Sequence, residues 1–133
     1  MIVGVSLTTE YIPDWNGNKQ DEKPIVVEHL KPSMKLRERL IPKPRLKFNF
    51  GTDGKSEGGE TDMVLDTRKI VEEMTTSIRN LELRDEATGK VFLTVTSARD
   101  LYSSDSPPIL AALADELGVY YQRLLAENVD TKN

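Results

Sequence analysis

Residues 66–83, DTRKIVEEMTTSIRNLEL, constrain the fold more than any other stretch. Ile70, Met74, Ile78 and Leu81 recur at steps of four, four and three, which sets them on one helical face. Val71 widens that face, while Arg68, Lys69, Glu72, Glu73 and Arg79 fall mostly on the other. Asp66 or Thr67 can accept the first free backbone N–H groups as an N-cap. The spacing therefore predicts one amphipathic helix over Asp66–Leu83, with β-structure before it.

The preceding residues alternate. Val3, Val5 and Leu7 point one way and Gly4, Ser6 and Thr8 the other, which predicts a strand over Ile2–Thr8 with one covered face. Asn16-Gly17-Asn18 is a turn signal, and Ile25–Leu30 reads as a second strand, so the two form a hairpin with a long loop. Ser33–Leu40 suits two helical turns capped by Ser33 and ended by Pro42 and Pro44. Arg45–Phe50 alternates again, with Leu46, Phe48 and Phe50 opposite Arg45, Lys47 and Asn49.

Residues 51–61, GTDGKSEGGET, contain no apolar side chain and predict a flexible loop. Beyond the 66–83 stretch, Lys90–Val95 reads as a short strand after the Thr88-Gly89 turn. Ser97 and Asp100 have the spacing of a capping box, with Asp in place of Glu. Ser106 is placed to cap a long helix whose first position is Pro107. In that helix Leu110, Leu113, Leu117, Tyr120 and Leu124 recur at steps of three and four, and Ile109, Tyr121 and Leu125 extend the stripe. The expected fold is α+β. A small antiparallel β-lobe spans 1–50, a Gly-rich loop 51–61, a mainly helical lobe with two main amphipathic helices 62–127, and a frayed tail 128–133.

Several classes of function find no support. The net charge of -4 gives a nucleic-acid partner no electrostatic attraction. No apolar run approaches the roughly 20 residues of a membrane span, and the opening MIVGVSLTTEY lacks the basic start of a signal peptide. Without cysteine there is no disulfide, thiol nucleophile or thiolate metal site. Asn49–Ser56, NFGTDGKS, falls one residue short of a phosphate-cradling loop, because Asn49 stands where Gly is needed. Glu57 and Glu60 follow, where a helix should begin and where carboxylates would repel phosphate. His29 is the single histidine, with no second imidazole to share a metal, and reads as a surface or hydrogen-bonded side chain. The carboxylates are scattered along the chain. Arg37, Arg39, Lys43, Arg45 and Lys47 form a basic run that reads as a solvated, strand-protecting edge. No catalytic, cofactor-binding or metal-binding residue is assigned.

Four segments carry a family resemblance. Tyr11–Asn18 contains a P-x-x-x-G-N element and is followed by Pro24-Ile25-Val26-Val27. Ser77-Ile78-Arg79-Asn80-Leu81 ends in an I-x-N-L step. Thr96–Leu101 ends in Asp100-Leu101, and an acidic amphipathic helix occupies 107–127. In this layout the chain resembles the tail assembly chaperones of long-tailed bacteriophages and prophages. The resemblance implies a non-enzymatic, cofactor-free protein of the bacterial host cytoplasm. It would bind the tape-measure protein, help recruit tail-tube subunits, form homo-oligomers and leave the finished virion. The alternative from another class is a structural virion protein, a tail-completion or head–tail connector subunit. Tyr11, Trp15, Ile109, Leu117 and Tyr121 are the expected protein contacts, since aromatic and large apolar residues dominate interfaces.

Overall fold

The computed structural model describes residues 1–41, 45–50, 56–62 and 66–127, with the backbone alone for 45–50 and 56–62. Strands β1 (Thr8–Tyr11) and β2 (Val26–Leu30) pair antiparallel, Thr8 opposite Leu30 and Tyr11 opposite Val27. The hairpin expected from the sequence is present, but its first strand starts where the expected one ended. Residues 1–7 form no strand and are exposed.

The long connection of this hairpin is held by one side chain. Asn18 is buried and donates through Nδ2 to the carbonyls of Pro13 and Ile25, while its Oδ1 accepts from Ile25 N at 2.6 Å. Before it, Asn16 and Gly17 take φ of 53° and 73°, which kinks the 3-10 segment Trp15–Gln20. Asn and Gly tolerate this left-handed region better than branched residues do.

Helix α1 (Met34–Leu40) is capped as expected, Ser33 Oγ accepting from Leu36 N at 3.0 Å. Strand β3 (Arg45–Phe50) pairs antiparallel with β4 (Ser56–Asp62). The second strand of this pair corrects the expectation of a loop through 61. Backbone pairing needs no apolar side chain, so hydropathy gave no sign of it. Residues 51–55 of the predicted loop lie outside the described residues, as do the predicted tail 128–133 and the side chains of Lys43, Arg45 and Lys47.

The stretch 66–83 is not one helix. Asp66 Oδ1 accepts from Lys69 N as an N-cap, and α2 (Thr67–Met74) follows. The chain then turns extended into β5 (Thr75–Arg79) and β6 (Leu81–Arg84). Thr75-Thr76-Ser77 explains the change. Branched and hydroxylated side chains lose rotamer freedom in a helix or compete for its backbone bonds, and β2 offers a ladder. Val27 pairs with Ile78, making the three-stranded order β1-β2-β5. Ile78 and Leu81 are buried as the helical reading required, but they reach the core from strands. Asn80, at φ 67°, lets the backbone leave one sheet and enter the next.

β6 pairs antiparallel with β7 (Val91–Val95) across a turn containing Gly89 at φ 71°. In α3 (Arg99–Tyr102), Asp100 Oδ2 accepts from the backbone N–H groups of Thr96 and Ser97, the reach-back expected of a capping box. These bonds, led by the Thr96 N–H, hold its carboxyl below the usual range.

The long helix α4 (Ile109–Ala126) starts two residues later than Pro107, and no side chain caps it. The Ser106 hydroxyl instead donates to the Asp100 carbonyl. At the other end Arg37 Nη1 donates to the carbonyls of Leu124, Leu125 and Glu127 at 2.7–3.0 Å. A cation there satisfies orphan acceptors and the negative helix terminus together. Arg39 pairs with Glu73 at 2.8 Å. Two charges of the predicted solvated edge are thus engaged within the fold.

The core lies where α2 and α4 cover the three-stranded sheet. Val27, Ile70, Val71, Met74, Ile78, Leu110, Leu113, Leu117 and Tyr121 are buried within it. Each such side chain contributes about 1.5–3 kcal/mol on full burial. Among the described residues no helix is long and apolar enough to cross a membrane.

Candidate protein-contact surfaces

Helix α4 presents two faces. Inward, Leu110, Leu113, Leu117 and Tyr121 are fully buried. Tyr121 lies against His29, its hydroxyl 2.8 Å from Thr75 Oγ1, and burial pushes its ionisation up. Outward, Ile109 is 48% and Val119 57% exposed, and Ala112 lies exposed between them. At 100° per residue these three fall within about a quarter turn of one another, in an arc that also holds Glu116 and Arg123, so the exposed stripe is mixed, with apolar and charged positions side by side.

A band of aromatic and polar side chains separates α4 from the hairpin. Tyr11 stacks on Tyr120 with ring centroids 3.8 Å apart and planes 12° from parallel. The Tyr11 hydroxyl donates to Glu116 Oε2 at 2.7 Å, and the same oxygen accepts from Asp14 N. Burial, then Glu116, raises the Tyr11 ionisation. His29 is buried and bonded at both ring nitrogens, Nδ1 lying 2.9 Å from the Leu30 carbonyl and Nε2 2.9 Å from Tyr120 Oη. The carbonyl can only accept, so Nδ1 carries the proton and Nε2 accepts from tyrosine. Burial lowers the His29 pKa, and the Leu30 bond opposes this more weakly. These groups hold elements together. Each is bonded to a partner within the chain.

A groove of about 790 Å³ opens on another side. One wall is the 3-10 segment with Trp15, Asn16 and Asn18. The other is the whole of β6, with Thr94 behind it and Ile109 at one end. Its charged residues are mixed in sign: Asp21 and Lys23 on the loop, Glu82 and Arg84 on β6, the last two 3.2 Å apart. Among the described residues no three metal-ligating side chains converge.

The expected contacts divide accordingly. Trp15 and Ile109 come together at the groove, and Ile109 also starts the outward stripe. Tyr11 is half-buried and occupied by Tyr120 and Glu116. Leu117 and Tyr121 are core residues, which corrects their assignment to an interface. The three-four spacing marks an apolar face without saying whether the chain's own sheet covers it. Sequence reasoning missed Ala112, Val119 and the edge of β6. Val119 stands off the main heptad stripe, and β6 was hidden inside the helical periodicity.

No protein family, curated protein or solved structure matches this chain.

Proposed function

We propose that the chain is a non-enzymatic tail assembly chaperone of a long-tailed bacteriophage or prophage. It acts in the host cytoplasm, binds the tape-measure protein and helps recruit tail-tube subunits. The observation that carries this reading is the outward stripe of α4, where Ile109, Ala112 and Val119 stay exposed around Glu116 on a helix whose other face is buried. Such a stripe suits the side of a second helix. A long helical tape-measure chain exposes apolar surface of this kind, and covering it keeps it soluble. Repeated copies along one chain add avidity to a weak single contact. The sequence resemblance supplies the identity of the partner, and the α+β fold is compatible with it.

The second reading is a structural virion subunit, favoured by the exposed, strand-patterned first seven residues, which suit a permanent assembly. Co-expression with the tape-measure protein of the same genome tests the first reading, followed by size exclusion with light scattering. A chaperone makes the tape-measure protein soluble and co-elutes with it in many copies. If the tape-measure protein stays insoluble and this chain is found in purified particles, the structural-subunit reading replaces it.

A further inference from the structure

Residues 1–7 carry a strand pattern that their own chain does not use. Ile2 is 99% and Val3 70% exposed, and Val5 and Leu7 are exposed as well. Alternating aliphatic residues of this kind suit a half-covered strand. The segment runs straight on from β1, and Lys31 N donates to the Leu7 carbonyl at 2.9 Å. The ladder to β2 ends at this bond, and Pro32 and Ser33 lead away into α1.

A complementary edge lies elsewhere in the fold. Among the described residues, the side of β6 away from β7 pairs with no strand. It borders the groove, whose apolar lining is Trp15, Ile25, Leu81, Leu83 and Ile109. We propose that residues 1–7 of one copy add as a strand along β6 of a second copy, reciprocally, giving an arm-exchanged dimer.

Three features favour a second copy over the chain's own arm. Leu7 is anchored at the Thr8–Leu30 end of the β1–β2 pair, while Trp15 and Ile25 lie beyond its Tyr11–Val27 end. Turning back past β1 uses about four residues at roughly 3.4 Å each, so Val3 and Val5 cannot reach β6 of the same chain. Residues 2–9 carry no charged side chain, and Glu82 and Arg84 of β6 already pair with each other. The added strand therefore brings no side-chain charge of its own to the Glu82–Arg84 pair. Finally, β6 offers four residues of free edge, and residues 1–7 are long enough to cover them. The exchange also closes an apolar edge that would otherwise invite aggregation. It stands whether or not the chain meets a tape-measure protein.

The chain has no cysteine, so engineered pairs report cleanly. Gly4→Cys and Glu82→Cys, on the face of the added strand and of β6 turned away from Leu81 and Leu83, are purified separately, mixed and oxidised. The expected product is a mixed disulfide of twice the chain mass. In parallel, light scattering at high micromolar concentration should give twice the chain mass for the unmodified protein and the single-chain mass for Val5→Asp. Val5 is 74% exposed in its own fold, so loss of folding is not a competing explanation, and circular dichroism verifies this. A monomeric unmodified protein overturns the proposal. So does a dimer that Val5→Asp leaves intact, or the absence of the mixed disulfide after mixing and oxidation.

Discussion

Leu117 and Val119 stand two residues apart on α4 and meet opposite surroundings. Leu117 is wholly buried under α2 and the sheet, and Val119 is more than half exposed. The neighbouring polar groups follow the same division. Asn18, His29, Tyr11 and Tyr121 have partners within the chain. Among the described residues the outer edge of β6 pairs with no strand, and the exposed side chains of Ile2, Val3 and Val5 join no core. One region is complete by itself. The other carries the composition of an interior without the cover, and this contrast teaches where association belongs.

The contrast breaks most visibly at Leu117. Leu117→Ala should destabilise the fold by about 2–5 kcal/mol, the usual cost of a large-to-small core change, read as a fall in the denaturant midpoint at unchanged slope. A change within experimental error would mean that this face is not core.

Gly118 sharpens it further. A Cβ there would lie 2.5 Å from Thr67 Cγ2, and Thr67 is held in place by Gln122 Nε2 at 3.1 Å. Gly→Ala in a helix ordinarily gains about 0.8–1 kcal/mol, but overpacking costs about 1–3 kcal/mol. Gly118→Ala should therefore destabilise by about 1 kcal/mol. In a Thr67→Ser background, which lacks the offending methyl, the same substitution should stabilise. Thermal melts of the four proteins measure this coupling.

His29 gives an effect that depends on pH. Its pKa is lowered in the folded state, so the unfolded chain takes up a proton first as pH falls through about 6.5. Stability is full above that value and declines below it, at up to about 1.4 kcal/mol per pH unit. His29→Gln should flatten the stability profile between pH 7 and 5, to within about half a unit of those limits. Its absolute stability should fall as well, because the Tyr120 contact is lost. Asp100 acts at lower pH: its contribution is present above the ordinary carboxylate range and is lost as pH falls through its lowered pKa.

The smallest effect on the fold belongs to the outward face. Val119→Asp should change stability by no more than about 0.5 kcal/mol, since the two residues have similar helix propensity and the site is exposed. Chemical denaturation measures it, and a loss of several kcal/mol would place Val119 in the core.

The sequence disclosed the α+β class, the β1–β2 hairpin, the caps at Ser33 and Asp66, and most of the α4 core. It failed where two periodicities share positions. Ile70, Met74, Ile78 and Leu81 satisfy a helix, yet a helix to Met74 followed by two strands buries the same four residues. Only the hydroxylated run Thr75–Ser77 marked the break. Strand β4 was invisible because its pairing runs through the backbone. Residues 2–8 alternate like a strand, yet 1–7 form none, because contacts within one chain provide no surface to cover their apolar face. Leu117 and Tyr121 lie inside for a related reason: they share one amphipathic pattern with Ile109, and tertiary packing decides which of the three remains outside.

The most direct measurement of the central claim is solubilisation of the tape-measure protein by Val119→Asp, compared with the unmodified chain at equal expression. The account predicts that the unmodified chain keeps the tape-measure protein soluble, and that the variant, equally folded, leaves most of it in the pellet. Equal solubilisation by both, or by neither, would contradict it.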